Sequence, residues 1–301
     1  MHNSDRKNRY LNYIEDDGFK NTRVYLIAFD TVEQFEILYD KDACDFNASE
    51  IDNMYKTINL KMLTNVRNFN SLLLRYTAWC QNESLVEDGI NHYEEFYGDR
   101  MYNYINIQYI QEGVIDREEM LDIASQMINP MDAFALVATF EGFGGVGKSD
   151  FFNAKLGDID NNKMRLKNRI IDVSDELIKY AKAAEDQDVY LSRIDERYDT
   201  KLDVSPGTIY KDIETGANNI TRNRTITDRL NREFKALGYN RLSYSDIVKS
   251  GRIHFIKQNS AKYGISAKEY CSKYPDQIAN QFGRKADYIP VMYTDLKPFL
   301  E

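Results

Sequence analysis

A mainly helical chain with a small β-hairpin, divided into two domains, is predicted by three observations. Apolar residues recur at steps of three and four along most of the chain, the signature of helices with one buried face. The stretch NESLVEDGINHYEEFYGDR (82–100) breaks that pattern with polar and aromatic residues in no regular order, which places the domain boundary there. A single segment, from Lys155 to Asp172, alternates apolar and polar residues around the turn sequence DIDNN. With 301 residues, 43% of them apolar, the chain can bury a core without covalent staples.

The elements follow in order. TRVYLIAFDTVEQFEILYDKD (22–42) reads as a long amphipathic helix, and NASEIDNMYKTIN (47–59) as a short one opened by Asn47 or Ser49. In NVRNFNSLLLRYTAWC (65–80) the residues Val66, Phe69, Leu73, Tyr76 and Cys80 form one apolar stripe, while Asn65, Arg67, Asn68, Ser71 and Arg75 fall on the other face. These helices make an N-terminal bundle over residues 1–85, joined through 86–115 to a second domain, 116–301. That domain opens with DREEMLDIASQMI and NPMDAFALVATFEGF, the latter with Pro130 in its first turn, where a missing amide costs nothing. Two short strands around DIDNN follow, then helices to the end.

Composition narrows the class. Cys44, Cys80 and Cys271 are odd in number and lack metal-ligand spacing, which fits a reducing compartment and buried thiols. No stretch approaches the roughly 20 apolar residues of a membrane span, and the N-terminal residues lack a signal-peptide core. The expectation is a cytoplasmic protein with no membrane, metal or cofactor. The net charge of −9 argues against a surface that binds polyanions throughout. Between Asn219 and Lys257, however, nine basic residues face only Asp228, Glu233 and Asp246. A solvated helix face competes with a nucleic-acid surface for that run.

EGFGGVGKSDFF (141–152) satisfies the phosphate-loop pattern through Gly142, Gly147, Lys148 and Ser149. A working phosphate loop needs a buried strand before the glycines and a parallel sheet behind it. The flanking sequence reads as a helix and a hairpin instead, so nucleotide binding stays as an alternative only.

The same residues resemble a different family. GGVGKSDFFNAKLGDID is similar to the segment of tyrosine recombinases and phage integrases that reads T-G-L-R-x-S-E-L-x-x-L-x-x-x-D-I-D, with Gly145, Ser149, Asp150 and the closing Asp-Ile-Asp in register and the family's arginine falling on Gly147. LSYSDIVKSGRIHFI resembles the H-x-x-R helix, with Ser245 at the histidine position and Val248 at the arginine position. QFGRKADYIPVMYTDL resembles the segment G-H-x(8)-Y: Gly283 is kept, Arg284 replaces the histidine, and Tyr293 stands at the nucleophile position. The resemblance implies a two-domain clamp for duplex DNA, an N-terminal core-binding bundle plus an integrase-like domain. It also implies that the chain is not an enzyme, because glycine and valine cannot donate the charge-assisted hydrogen bonds that hold a pentacoordinate phosphate. A recombinase that still uses Tyr293 is the alternative.

An integrase-shaped chain without cleavage chemistry is similar to the integrase-like master repressors of SPbeta-type Bacillus prophages, which implies a sequence-specific repressor at a double-stranded DNA operator. A second copy of the chain and an anti-repressor or inducing protein are further partners the resemblance raises, and nucleoid association follows from DNA binding. The DNA-contacting residues it implies are Asn65, Arg67, Asn68 and Ser71 on the N-terminal bundle. To these it adds Lys163, Arg165, Lys167 and Arg169 on the hairpin, where Lys163 or Lys167 matches the family's lysine. NNITRNRTITDRLNREFKALG resembles the groove-facing helix, with Thr221 or Thr225 as cap and Arg222, Arg224, Arg229 and Arg232 as readers; Lys249 and Arg252 complete the set.

Overall fold

The computed structural model describes residues 3–58, 60, 62–105, 111–144, 148–212 and 219–301, the last stretch without the side chains of residues 219–224. It divides into two units, Met1–Ile107 and Gln108–Glu301.

The first unit packs α1 (Ser4–Asp16), α2 (Arg23–Tyr39), α3 (Ala48–Thr57) and α4 (Leu63–Asn82). Of the two candidates it is Asn47 that caps α3, accepting from the amides of Ser49 and Glu50 while Glu50 reaches back to the Asn47 amide. All five residues of the α4 stripe are buried, with Asn65, Arg67, Asn68 and Arg75 exposed and Ser71 half-buried. Aromatic rings fill the core: Tyr10, Phe29, Tyr76 and Trp79 meet edge to face, tilted or, for Tyr76 and Trp79, stacked, at centroid distances of 5.0–6.4 Å. Asn70 crosslinks this core, accepting from the Tyr55 hydroxyl at 2.6 Å and donating to the carbonyls of Tyr93 and Phe96. Much of the segment read from sequence as a connection therefore belongs to the first unit, since Tyr93, Phe96 and Tyr104 are buried in it.

The second unit is built around α6 (Pro130–Phe140), in which every residue except Pro130 is buried. It lies against α5 (Arg117–Ser125), α8 (Asp175–Asp186) and α10 (Tyr244–Tyr263). The approach to α10 is close because residue 251 is glycine: a Cβ there would stand 1.8 Å from the Phe140 carbonyl oxygen. After the five-residue α7 (Ser149–Asn153) come β1 (Ile159–Asp160), β2 (Lys163–Leu166) and β3 (Arg169–Asp172), an antiparallel meander. Asn161 and Asn162 both take left-handed φ, 48° and 58°, the turn that the β1–β2 hairpin requires. The chain reverses again at Lys167 and Asn168, so the sheet has a third strand that the expectation of two omitted. A second pair, β4 (Val189–Tyr190) and β5 (Thr200–Lys201), also went unpredicted. α9 (Asn219–Ala236) precedes α10, and α11 (Ala267–Lys273), α12 (Pro275–Phe282) and α13 (Ile289–Leu300) close a smaller cluster with the end of α10. Thr221 and Thr225 lie inside α9, so neither is its cap. No described helix is long and apolar enough to cross a membrane, and the three cysteines are buried as free thiols.

Candidate nucleic-acid interface

The glycine-rich segment does not have phosphate-loop surroundings. Residues 130–140 before it form a buried helix where that motif needs a strand, and the described sheets are antiparallel. Gly147 lies outside the described residues. Lys148, with φ 56°, leads into α7, and its ammonium packs 4.0 Å from the Tyr244 ring centroid and donates to the Thr227 hydroxyl.

Helical spacing on α10 brings the next residues to the same place. Tyr244, Val248 and Arg252 follow one another at steps of four and so share a face. Together with Lys148, Phe282 and Arg284 they line a cavity of about 270 Å³, whose lining also includes Gly142 and Gly144. Val248 and Arg284, the positions that the resemblance matches to the family's motifs, thus line one cavity. Ser245 points to solvent one step around the helix and is not part of the lining. Tyr293 is on α13, outside the lining, with its hydroxyl on the Glu301 carboxylate. Burial and the nearby Arg284 push Arg252 down to about 10, and burial pushes Lys148 down to about 8. Sequence reasoning placed Arg252 in a DNA-facing run and passed over Tyr244; the i, i+4, i+8 spacing was the available signal.

Other basic residues separate into exposed and structural sets. On the hairpin, Lys163, Arg165 and Lys167 are exposed, Lys163 pairing with Asp172 at 3.1 Å. Arg169 is different and corrects the expectation of a phosphate contact. Its guanidinium is buried, ion-paired with Asp150, and donates to the carbonyls of Gly142, Asn280 and Gln281. Arg229 is likewise structural: it is 2% exposed, lies 4.3 Å from the Tyr190 ring centroid and donates to the Tyr210 hydroxyl. Lys249 is held by Asp246 at 3.1 Å, half-buried. Arg232 is exposed on the outer side of α9, beside Asp228 and Lys235. Arg222 and Arg224 fall on α9, but their side chains lie outside the described residues. The basic run is therefore not one continuous surface, since Glu233 also turns inward to hold Arg193 through three hydrogen bonds.

Comparison with known proteins places this architecture. Residues 1–82 match the family model described as MrpR, N-terminal core-binding domain, and residues 114–295 match MrpR, C-terminal catalytic domain. Over 153 residues the chain is 24% identical to the SPbeta prophage-derived uncharacterized protein YopR of Bacillus subtilis (strain 168), an alignment covering 51% of this chain and 45% of that protein, so less than half the relative's length is spanned. Among solved structures, the crystal structure of XerA recombinase aligns over 97% of this chain and 93% of its own, at 12% identity and a TM-score of 0.36. The two matched models cover most of the sequence in the order core-binding then catalytic-type domain, and on them the chain belongs to the tyrosine-recombinase-like MrpR family.

Proposed function

We propose that the chain is a sequence-specific binder of double-stranded DNA that represses transcription, with maintenance of lysogeny as its setting and without strand cleavage. The observation that carries the second half is the arrangement around Val248. An apolar side chain occupies the wall of the pocket where the family's arginine would stand, and Tyr293 is outside that pocket. Loss of one preorganised donor typically slows such chemistry about 100- to 1000-fold, and donors that act as a unit are not replaced singly. The first half is supported by the match to a core-binding domain and by the exposed polar face of α4 and cations of the β2–β3 hairpin. The prophage-derived relative supports the setting. Binding to the operator places the protein at the nucleoid; a second copy and an anti-repressor are the partners this reading proposes.

Footprinting on the source genome tests binding, and a nicked suicide duplex tests cleavage. The expected outcome is a protected site with no denaturation-resistant adduct, and Tyr293→Phe with unchanged operator affinity. An adduct that disappears in Tyr293→Phe would restore the recombinase reading.

A further inference from the structure

Helix α2 is apolar on both sides. Tyr25, Phe29, Val32 and Phe35 turn into the bundle, while Leu26, Ile27, Ile37 and Leu38 are 40–66% exposed on the opposite side. Single exposed aliphatics are ordinary, but four on the outer face of one helix call for a second covering. At about 100° per residue, Leu26, Ile27, Asp30, Gln34, Ile37 and Leu38 fall within about 60° of the direction opposite the fully buried Val32. All six are exposed, and the side chains of Asp30 and Gln34 have no hydrogen-bond or ion-pair partner among the described residues. The character of this face is the same in both directions from Val32: Leu26 and Leu38, Ile27 and Ile37, and Asp30 and Gln34 are equidistant from it. Equidistant residues meet when two copies of a helix lie antiparallel across a twofold axis, as in an isologous interface. Leu26 then meets Leu38, Ile27 meets Ile37, and the Asp30 carboxylate meets the Gln34 amide, an acceptor opposite a donor. A parallel pairing in register would instead set Asp30 against Asp30, like charge on like charge. An anionic lipid surface or nucleic acid fits less well, because the charge at the middle of the face is the acid Asp30.

We propose that the outer face of α2 is the docking surface for a second copy of the chain, antiparallel, with the twofold axis at the level of Val32. The contact is small. A helix of 17 residues is about 25 Å long and presents a strip about 10 Å wide, so the pair buries on the order of 500 Å² in all, under the roughly 1,200 Å² of stable interfaces. The dimer is therefore reversible, with a Kd in roughly the micromolar to millimolar range. At its ends Arg23 approaches Lys41 of the second copy, a lysine whose charge Glu50 shares at 3.0 Å. The surface does not depend on DNA binding. A preference of two joined copies for an operator with two half-sites is the one consequence that rests on the function proposed above.

Sedimentation equilibrium on the full chain at low salt, from about 1 µM to about 1 mM, should show a monomer and a dimer in exchange. Ile37→Glu should weaken the dimer about tenfold or more, since both copies lose the contact with Ile27. Because Gln34 faces Asp30 of the second copy, Gln34→Lys should tighten the dimer about threefold or more and Gln34→Glu should loosen it by a similar factor. Both positions are exposed, so circular dichroism should show each variant folded as the wild type is. Opposite shifts from opposite charges at one position are specific to the antiparallel register. A dimer that Ile37→Glu leaves intact overturns the proposal, as does one that responds to neither Gln34 variant or to both in the same direction. A wild type that binds duplex and stays monomeric throughout overturns the α2 surface and leaves DNA binding standing. A dimer with the expected responses that ignores duplex supports the surface while removing the DNA-binding function.

Discussion

Arg229 carries its charge between the rings of Tyr190 and Tyr210, in an environment that also holds Asp132. Removing one member of such a group leaves the others buried without compensation, so Arg229→Ala should cost about 2–4 kcal/mol. Arg165→Ala, at an exposed site, should change stability by less than about 0.5 kcal/mol. Urea denaturation followed by circular dichroism separates the two. Asp132 gives a second prediction. Burial raises it from 3.8 to about 6 against the opposing pull of Arg229, and one of its oxygens has no partner. The folded state therefore takes up a proton more readily than the unfolded chain. Stability from this group is full below 3.8 and is lost as pH rises through about 6. Denaturation midpoints should fall across that window, and Asp132→Asn should flatten the fall; an unchanged slope would assign the effect to other acids.

At the scale of elements, the contact between α6 and α10 depends on the absence of one carbon atom. Gly251→Ala forces a Cβ against the Phe140 carbonyl, and since both partners are helix backbone the helices must separate, at a cost of about 1–3 kcal/mol or more. Thermal unfolding of that variant, beside Gly157→Ala, where a Cβ meets nothing within 4 Å, measures it. Nothing in SDIVKSGRIHFI shows this requirement, because it is set by a helix more than a hundred residues earlier in the chain. The stripe of α4 and the Asn47 cap were legible because both are local: periodicity and a side chain three residues from its amide suffice. The third strand was not, since Lys167 and Asn168 carry no strong turn signal inside an already polar run. Nor were the fates of Arg169 and Arg229, whose inward direction is decided by carbonyls and tyrosines far away in sequence. The convergence of Val248 and Arg284 was readable only through the motif spacing, and the contribution of Arg252 needed the helix face as well.

For the whole molecule, a net charge of −9 means that any hold on DNA is local and opposed by the rest of the surface. Cations without an ion-pair partner among the described residues should then matter most. Lys167→Ala is expected to weaken operator and random duplex alike and to lower the salt slope by about one unit, whereas Lys163→Ala, whose charge is shared with Asp172, should do less. Affinities measured over a salt series on both duplexes check this; equal effects would mean that the Asp172 pair does not persist in solution. The buried guanidinium of Arg169 bears on a different property, the cooperativity of unfolding. It joins β3 to the Gly142 loop, to α7 through Asp150 and to the end of α12. Peeling any one of these segments away strands a charge in an apolar interior. Partial opening is therefore penalised at four places by a single side chain, and α12, which also packs in the smaller cluster with α11 and α13, is bound through it to melt with the sheet.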